Sequence, residues 1–326
     1  MSIDTVVIGA RGYTGSALLP LLHRHPDCAV QAVGSSSARG QAVNRHVSGL
    51  DDCNLVFTDI RPDNLQQFPA DLYVLALPNG EAADYVAAVD GSRPEAVIID
   101  LSADYRFDAA WTYGQPERNA AQLAGARRIA NPGCYATGAQ LALAPLVGRW
   151  VNAPAVFGVS GYSGAGKTPS RKNDPEVLKD NLLPYSLADH LHEREVSHVL
   201  QRGVRLLPHV AAFFRGISLT IALELKNPAT PAALLDQYRE AYAGCPLISV
   251  RDEIPEVAEV RDTHGVIIGG FTVSRSDPQR VSLVCVLDNL LKGAATQVVQ
   301  NMNLAFNLPS VTGLDCPRAG PARIPA

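Results

Sequence analysis

Thr5-Val6-Val7-Ile8-Gly9-Ala10-Arg11-Gly12-Tyr13-Thr14-Gly15 is the stretch on which the fold of the N-terminal half turns. A short apolar, β-branched run gives way to glycine at every third position, and helical periodicity then runs from Thr14 to about His25. Strand, glycine loop and helix in this order are the setting in which a glycine motif points to dinucleotide binding. The glycines let the backbone approach a pyrophosphate, and the helix N-terminus offers N–H donors to it. The spacing is GxxGxxG rather than GxGxxG, so a purely structural turn is the competing reading. Gly9, Arg11, Gly12, Tyr13, Thr14 and Gly15 are the candidate cofactor-binding residues of this loop.

Working outward, the next strand, residues 29–34, ends in Ser35-Ser36-Ser37-Ala38-Arg39. A dinucleotide fold that prefers NAD places Asp or Glu at this strand end, to hold the ribose 2′-OH. Hydroxyls and a cation here suit a 2′-phosphate instead, so the cofactor expected is NADP(H), with Ser35, Ser36 and Arg39 near the phosphate. Apolar runs at 55–57, 72–76 and 96–100 alternate with helical patterns, which predicts a parallel sheet covered on both faces. Ligands bind at the carboxyl ends of such strands, which singles out residues 77–80, with Pro78, and residues 101–106. Arg106 is a candidate carboxylate clamp; an ion pair with Asp104 or Asp108 is the alternative.

A second stretch, Asn131-Pro132-Gly133-Cys134-Tyr135-Ala136-Thr137-Gly138, separates a short strand from an apolar helical run. Pro-Gly marks a turn, so Cys134 falls at a helix N-terminus, where free N–H groups and the helix dipole favour a thiolate. Beyond it the pattern changes. Strands are expected at 155–160, 214–225, 266–274 and 281–287, with one helix between them at 231–243, a long amphipathic helix from Asp288 to about Phe306, and an irregular tail from Val311. This predicts an α/β protein: a Rossmann-type parallel-sheet domain over 1–133 and an α+β domain with a mixed sheet over 134–287, a sheet that could support a subunit interface.

The 326 residues are 47% apolar and 18% charged, with a net charge of −4. Neither nucleic acid nor an anionic membrane is indicated as a partner, and no apolar run reaches the length of a membrane span, about 18 residues. The opening residues show no cleavable signal pattern. Six cysteines without CxxC spacing argue for a reducing, cytoplasmic compartment and against zinc or a disulfide framework. His190, His192 and Glu193 offer metal-ligating residue types, but positions i and i+2 do not share a helix face, so a helix-surface role is expected and no metal.

Six motifs then stand in one order: GARGYTG, LSADYRF, NPGCYATG, SGYSGAGK, LPHVAAFFRG and DNLLKGAATQVVQNMN. Together, over about residues 3–308, they resemble the N-acetyl-γ-glutamyl-phosphate reductases of the aspartate-semialdehyde dehydrogenase-like superfamily. Aspartate-semialdehyde dehydrogenase is the alternative within that superfamily, and Gly133 before Cys134, where it typically has Asn, favours the glutamyl branch. The resemblance implies a nucleophilic Cys134, a catalytic histidine at His209, and nicotinamide-side contacts near Ser163, Gly164 and Asn289. It also implies an NADP-dependent homodimer or homotetramer acting on an anionic acyl phosphate, with the helix in 288–326 returning to complete the Rossmann domain and residues 134–287 forming the catalytic and oligomerisation domain. The thiolate would displace phosphate to give a thioester that hydride reduces to the aldehyde. Lys167, Arg171, Lys172, Arg106 and Arg215 are the cationic candidates for the substrate, and residues 167–184 read as a lid. The form with Tyr162 and Lys167-Thr168-Pro169-Ser170 looks more like the fungal branch. A Cys–His hydrolase or a cofactor-sensing module leaves, respectively, the glycine loop or Cys134 without a task.

Overall fold

A computed structural model describes residues 2–315; the end of the expected irregular tail lies outside them. The chain forms two compact units. The first takes the chain up to Gly133 and returns for Ala294–Leu314; the second is built on Cys134–Gly293.

The first unit runs β1 (Ile3–Ile8), α1 (Tyr13–His23), β2 (Cys28–Gly34), β3 (Phe57–Thr58), β4 (Leu72–Leu75), α2 (Ala82–Ser92), β5 (Val97–Asp100), β6 (Thr112–Tyr113), α3 (Pro116–Leu123) and β7 (Arg128–Ala130). Its seven strands lie in the order β3-β2-β1-β4-β5-β7-β6, and every pairing is parallel. Near-continuous apolar strands such as Val6-Val7-Ile8 and Leu72–Leu75 are buried because each face of the sheet must be covered by a crossover. The sheet order reverses at β1, so the carboxyl end of β1 sits at the crevice this architecture uses for ligands.

In the second unit the elements are α4 (Cys134–Leu143), β8 (Ala155–Gly161), α5 (Pro175–Leu178), β9 (Leu182–Pro184), α6 (Leu191–Leu200), β10 (Arg205–Ala211), β11 (Ile217–Glu224), α7 (Pro231–Ala241), β12 (Ile248–Val250), β13 (Val266–Val273) and β14 (Arg280–Leu287). The sheet is mixed, in the order β12-β13-β14-β11-β8-β10-β9. Two pairings are parallel, β8 with β10 and β12 with β13, and the rest are antiparallel. Alternation sends Leu219, Ile221, Leu223, Leu283 and Cys285 into one core with α4 and with residues of α6 and α7. The other face carries Phe157, Thr220 and Ala222, all exposed.

Several elements differ from the sequence reading: β9, β10, β12 and the short α5 join the four strands expected in this unit. Helix α6 joins α7 in this unit, because His190 caps it and Val196 and Leu200 give it a buried stripe. The long helix expected from Asp288 starts as a π-turn, Leu291–Ala295, before the regular α8 (Thr296–Ala305).

Helix α4 is buried from Tyr135 to Leu143, so its position is set on every side. A Cβ on Gly138 would stand 2.7 Å from both Leu219 Cδ1 and Leu287 Cδ2, and its absence lets the helix lie directly on β11 and β14. Tyr238 of α7 and Tyr242, its C-cap, donate their hydroxyls to the carbonyls of Ala142 and Leu141, which satisfies groups that the helix end leaves without partners. Leu219→Ala should therefore open a cavity beneath α4 and cost about 2–5 kcal/mol, read as a lower urea midpoint at unchanged m-value.

Candidate active site

Cys134 is the first residue of α4, as the Pro-Gly turn predicts. It opens on a cavity of about 180 Å³ whose walls include Tyr135, Ser160, Gly164, Lys172, Tyr185, His190 and His192. Helix α4 presents the thiol with its own N–H groups close behind it, which favours the thiolate. Tyr135, next in the chain, donates its hydroxyl to the backbone carbonyl of His209 at 2.8 Å. Burial raises its phenol well above the ordinary tyrosine range, with Tyr185 and Cys134 adding to the effect. Burial raises the Tyr185 phenol too, and Cys134 again contributes. Both phenols therefore stay protonated beside the thiol.

The histidines are arranged differently from the sequence expectation. His209 does not line the cavity of Cys134. It alternates along β10 with Val210, which does, so its ring lies on the opposite face of the sheet, 4.5 Å from the Phe157 ring. Strand periodicity is the reason: neighbouring side chains point to opposite faces. His190 and His192, expected on a helix surface, line the cavity instead, and their rings lie 6.2 and 6.1 Å from that of Tyr135. The i, i+2 objection assumes that both residues are helical. His190 is the N-cap, with extended backbone, and its Nδ1 accepts the His192 N–H at 3.1 Å. An accepting Nδ1 in the neutral ring puts the proton on Nε2. Burial lowers the His190 pKa, and the Lys172 charge lowers it further. Among the described residues no three His, Cys, Asp or Glu side chains gather as a metal site would require. The signal that could have found this pair was the capping pattern: His190 followed at the third position by Glu193, whose carboxylate accepts the Asp189 N–H at 3.2 Å.

Of the cationic candidates, Lys172 reaches the cavity, its Nζ 4.9 Å from the Tyr185 ring centre. Lys167 lies on an exposed turn. Arg215 is held by Asp288 and Asp262. Arg106, buried in the first unit, donates to the carbonyls of Asn131 and Leu101, each at 2.9 Å. Neither Asp104 nor Asp108 appears among those acceptors, and Asp104 instead accepts the Gly80 and Ala82 N–H groups at the start of α2. Ser163 and Asn289 are both buried and joined, Nδ2 to Oγ, at 2.9 Å, and Gly164 lines the cavity beside them.

In the first unit, Gly9 adopts φ +82° and Gly15 packs on Ala10, where a Cβ would meet backbone at 2.5 Å. Those two glycines are demanded by the turn itself. Gly12 is different: a Cβ there would meet only the Gly9 carbonyl oxygen, at 3.8 Å. Its bare, exposed position at the N-cap of α1 leaves room that the turn does not need, which fits a pyrophosphate above the helix end with Tyr13 and Thr14 in the first turn. At the end of β2, Arg11 donates to Ser37 Oγ at 2.9 Å and Ser37 lies 3.5 Å from Ser35 Oγ. Arg39 stands 3.9 Å from Asp59 with 75% of its side chain exposed, and Ser36 is exposed. Ser37 and Arg11 thus add a hydroxyl and a cation beside Ser35, Ser36 and Arg39 at this strand end. Pro78 lies exposed in the loop after β4.

Two family models match: the NAD binding domain of semialdehyde dehydrogenases over residues 4–126 and their dimerisation domain over residues 134–289. A protein from Xanthomonas campestris pv. campestris named N-acetyl-γ-glutamyl-phosphate reductase is 50% identical over 308 residues, 94% of this chain and 97% of the relative. One of the same name from Xylella fastidiosa is 49% identical over 98% of this chain and 97% of its own. The chain belongs to the N-acetyl-γ-glutamyl-phosphate reductase family. Solved aspartate-semialdehyde dehydrogenases share the fold of this reductase family. The enzyme II from Vibrio cholerae, complexed with ASA, matches with a TM-score of 0.76 at 18% identity over 94% of this chain and 99% of its own. That of Candida albicans, with NADP, matches at 0.73 and 18% over the same shares.

The lowered His190 pKa has a sign. As pH falls below about 6.5 the unfolded chain takes up this proton before the folded one. Stability should therefore drop from that pH down to the lower folded value. Urea midpoints between pH 8 and 5 should show the wild type losing more stability over this window than His190→Asn, which keeps a capping acceptor.

Proposed function

We propose that this protein reduces N-acetyl-γ-glutamyl phosphate to N-acetylglutamate 5-semialdehyde with NADPH, through a thioester on Cys134. The observation that carries the proposal is one cavity holding a cysteine at a helix N-terminus, two histidines and a lysine, in a chain that belongs to this reductase family. Cys134 attacks the acyl carbonyl; the carbon–oxygen bond to phosphate breaks, phosphate leaves, and a thioester forms. A bound nicotinamide cofactor would supply hydride to that thioester carbon. The Cys134 sulfur then departs as the aldehyde carbonyl re-forms. Because the His190 Nε2 carries its proton, His190 serves as a hydrogen-bond donor, and His192 takes up the thiol proton. Lys172 pairs with the anionic substrate at the cavity mouth, in preference to Arg106 and Arg215, whose guanidinium groups hold backbone carbonyls and carboxylates.

The glycine loop would hold the pyrophosphate through Gly12 and the first turn of α1, and the Arg11–Ser37–Ser35 group would meet a ribose 2′-phosphate; this supports NADP(H) over NAD. Ser163, Gly164 and Asn289 would bound the nicotinamide side. The match to a dimerisation domain, together with the exposed face that carries Phe157, 38% exposed, supports a dimer in which those sheet faces meet. His209 would then stand at that interface. No described helix is long and apolar enough to cross a membrane, and the five described cysteines are unbridged, in keeping with a cytoplasmic enzyme.

Absorbance of NADPH with purified protein, NADP⁺, phosphate and N-acetylglutamate semialdehyde should rise only when phosphate is present. Cys134→Ser should abolish that signal while leaving NADP(H) binding intact. His192→Asn should lower kcat by about 10²–10⁴-fold, whereas His209→Asn should leave it within a few-fold of wild type. A signal with aspartate semialdehyde alone would keep the chemistry and overturn the substrate.

A further inference from the structure

Asp288 follows β14 and opens the turn that closes at Gly293. Its carboxylate is fully buried, at 0% exposure, and is saturated with donors. Arg215 reaches it through Nε at 2.7 Å and Nη2 at 3.0 Å. One carboxylate oxygen also accepts the N–H groups of Leu290 and Leu291, at 2.8 and 3.0 Å. The other accepts the Asp262 N–H at 2.9 Å. Asp262 returns its own carboxylate to Arg215 and is held at φ +60°, a left-handed backbone that a residue with a side chain keeps only where its surroundings impose it.

Both ends of this turn touch the site. Asn289, next to Asp288, accepts the Gly216 N–H at 2.7 Å and donates to Ser163 Oγ at 2.9 Å. Gly293 lies against the nucleophile: a Cβ there would stand 2.7 Å from the Cys134 Cβ and 3.2 Å from its Cα. The backbone behind Cys134 is therefore the far end of a turn whose near end is fixed by the Asp288 carboxylate.

We propose that Asp288 and Arg215 are a positioning pair for the reaction, holding the 288–293 turn so that Gly293 backs the Cys134 thiol and Asn289 aligns Ser163. The proposal rests on the Cys134 thioester reading. A buried ion pair contributes little net stability compared with apolar residues of similar size, so stability alone gives little reason for placing one here. What the pair supplies is direction, because the guanidinium donates through Nη2 to the same carboxylate oxygen that accepts the two N–H groups shaping the turn.

The test compares Arg215→Gln, Asp288→Asn and the double variant for kcat, KM, thermal midpoint and the pH profile of Cys134 alkylation by iodoacetamide. Displacements of about 1 Å at a reacting group cost up to about 100-fold in rate. Each single variant should accordingly lose about 10- to 100-fold in kcat, with KM within about three-fold of wild type. The alkylation midpoint should move to higher pH as the thiol leaves the helix end. The double variant should be no slower than the slower single, the sign that both act through one contact. Gly293→Ala, which leaves the ion pair whole, should move kcat and alkylation in the same direction, and it carries the test if a charge variant does not fold. The proposal is overturned if the alkylation profile stays at wild type in all variants, or if the double variant multiplies the losses of the singles. Alkylation needs no substrate, so failure of the reductase reading would show separately, as no phosphate-dependent NADPH formation in the wild type.

Discussion

Helix α4 is the element to which the second unit conforms. It is buried along nearly its whole length, so packing rather than solvent sets its position, and a buried helix end must have its polar groups satisfied. Gly138 lets it lie on β11 and β14, and Tyr238 and Tyr242 take its last carbonyls. Gly293 backs its first residue. The Cys134 thiol is thereby mounted on a rigid element, the kind of mount a covalent nucleophile requires because rate falls steeply with misalignment.

Around that fixed point the cavity separates tasks by environment. Tyr135 and Tyr185 are kept protonated by burial, and Tyr135 donates its hydroxyl to the His209 carbonyl. His190 gives Nδ1 to the backbone of α6, and Lys172 lends the site positive charge. The outcome is a small chamber in which a thiol, two histidines and a lysine share one set of walls.

Much of the fold was legible because local patterns were strong. The parallel sheet followed from unbroken apolar runs such as 72–76, and the mixed sheet from the alternation at Leu219, Ile221 and Leu223. The position of Cys134 followed from Pro132-Gly133. The histidines were the weak point. His209 carried the motif, yet a strand shows one face at a time and Val210 took the side facing Cys134. His190 and His192 were set aside on helix geometry, and a cap residue is exempt from it. The arginines misled for a related reason: guanidinium groups serve anions and carbonyls equally well, and only the folded chain shows which are within reach of Arg106 and Arg215.

The sequence by itself determined the class of chemistry, because a glycine loop between strand and helix and a cysteine after a Pro-Gly turn are local features that fix their own backbone surroundings. Tertiary structure decided which side chains attend the cysteine. Residues 160, 172, 185 and 293, and the pair 190 and 192 at the start of α6, reach it from separate parts of the chain, and their meeting depends on strand register and on the cap of α6, neither of which a local pattern encodes.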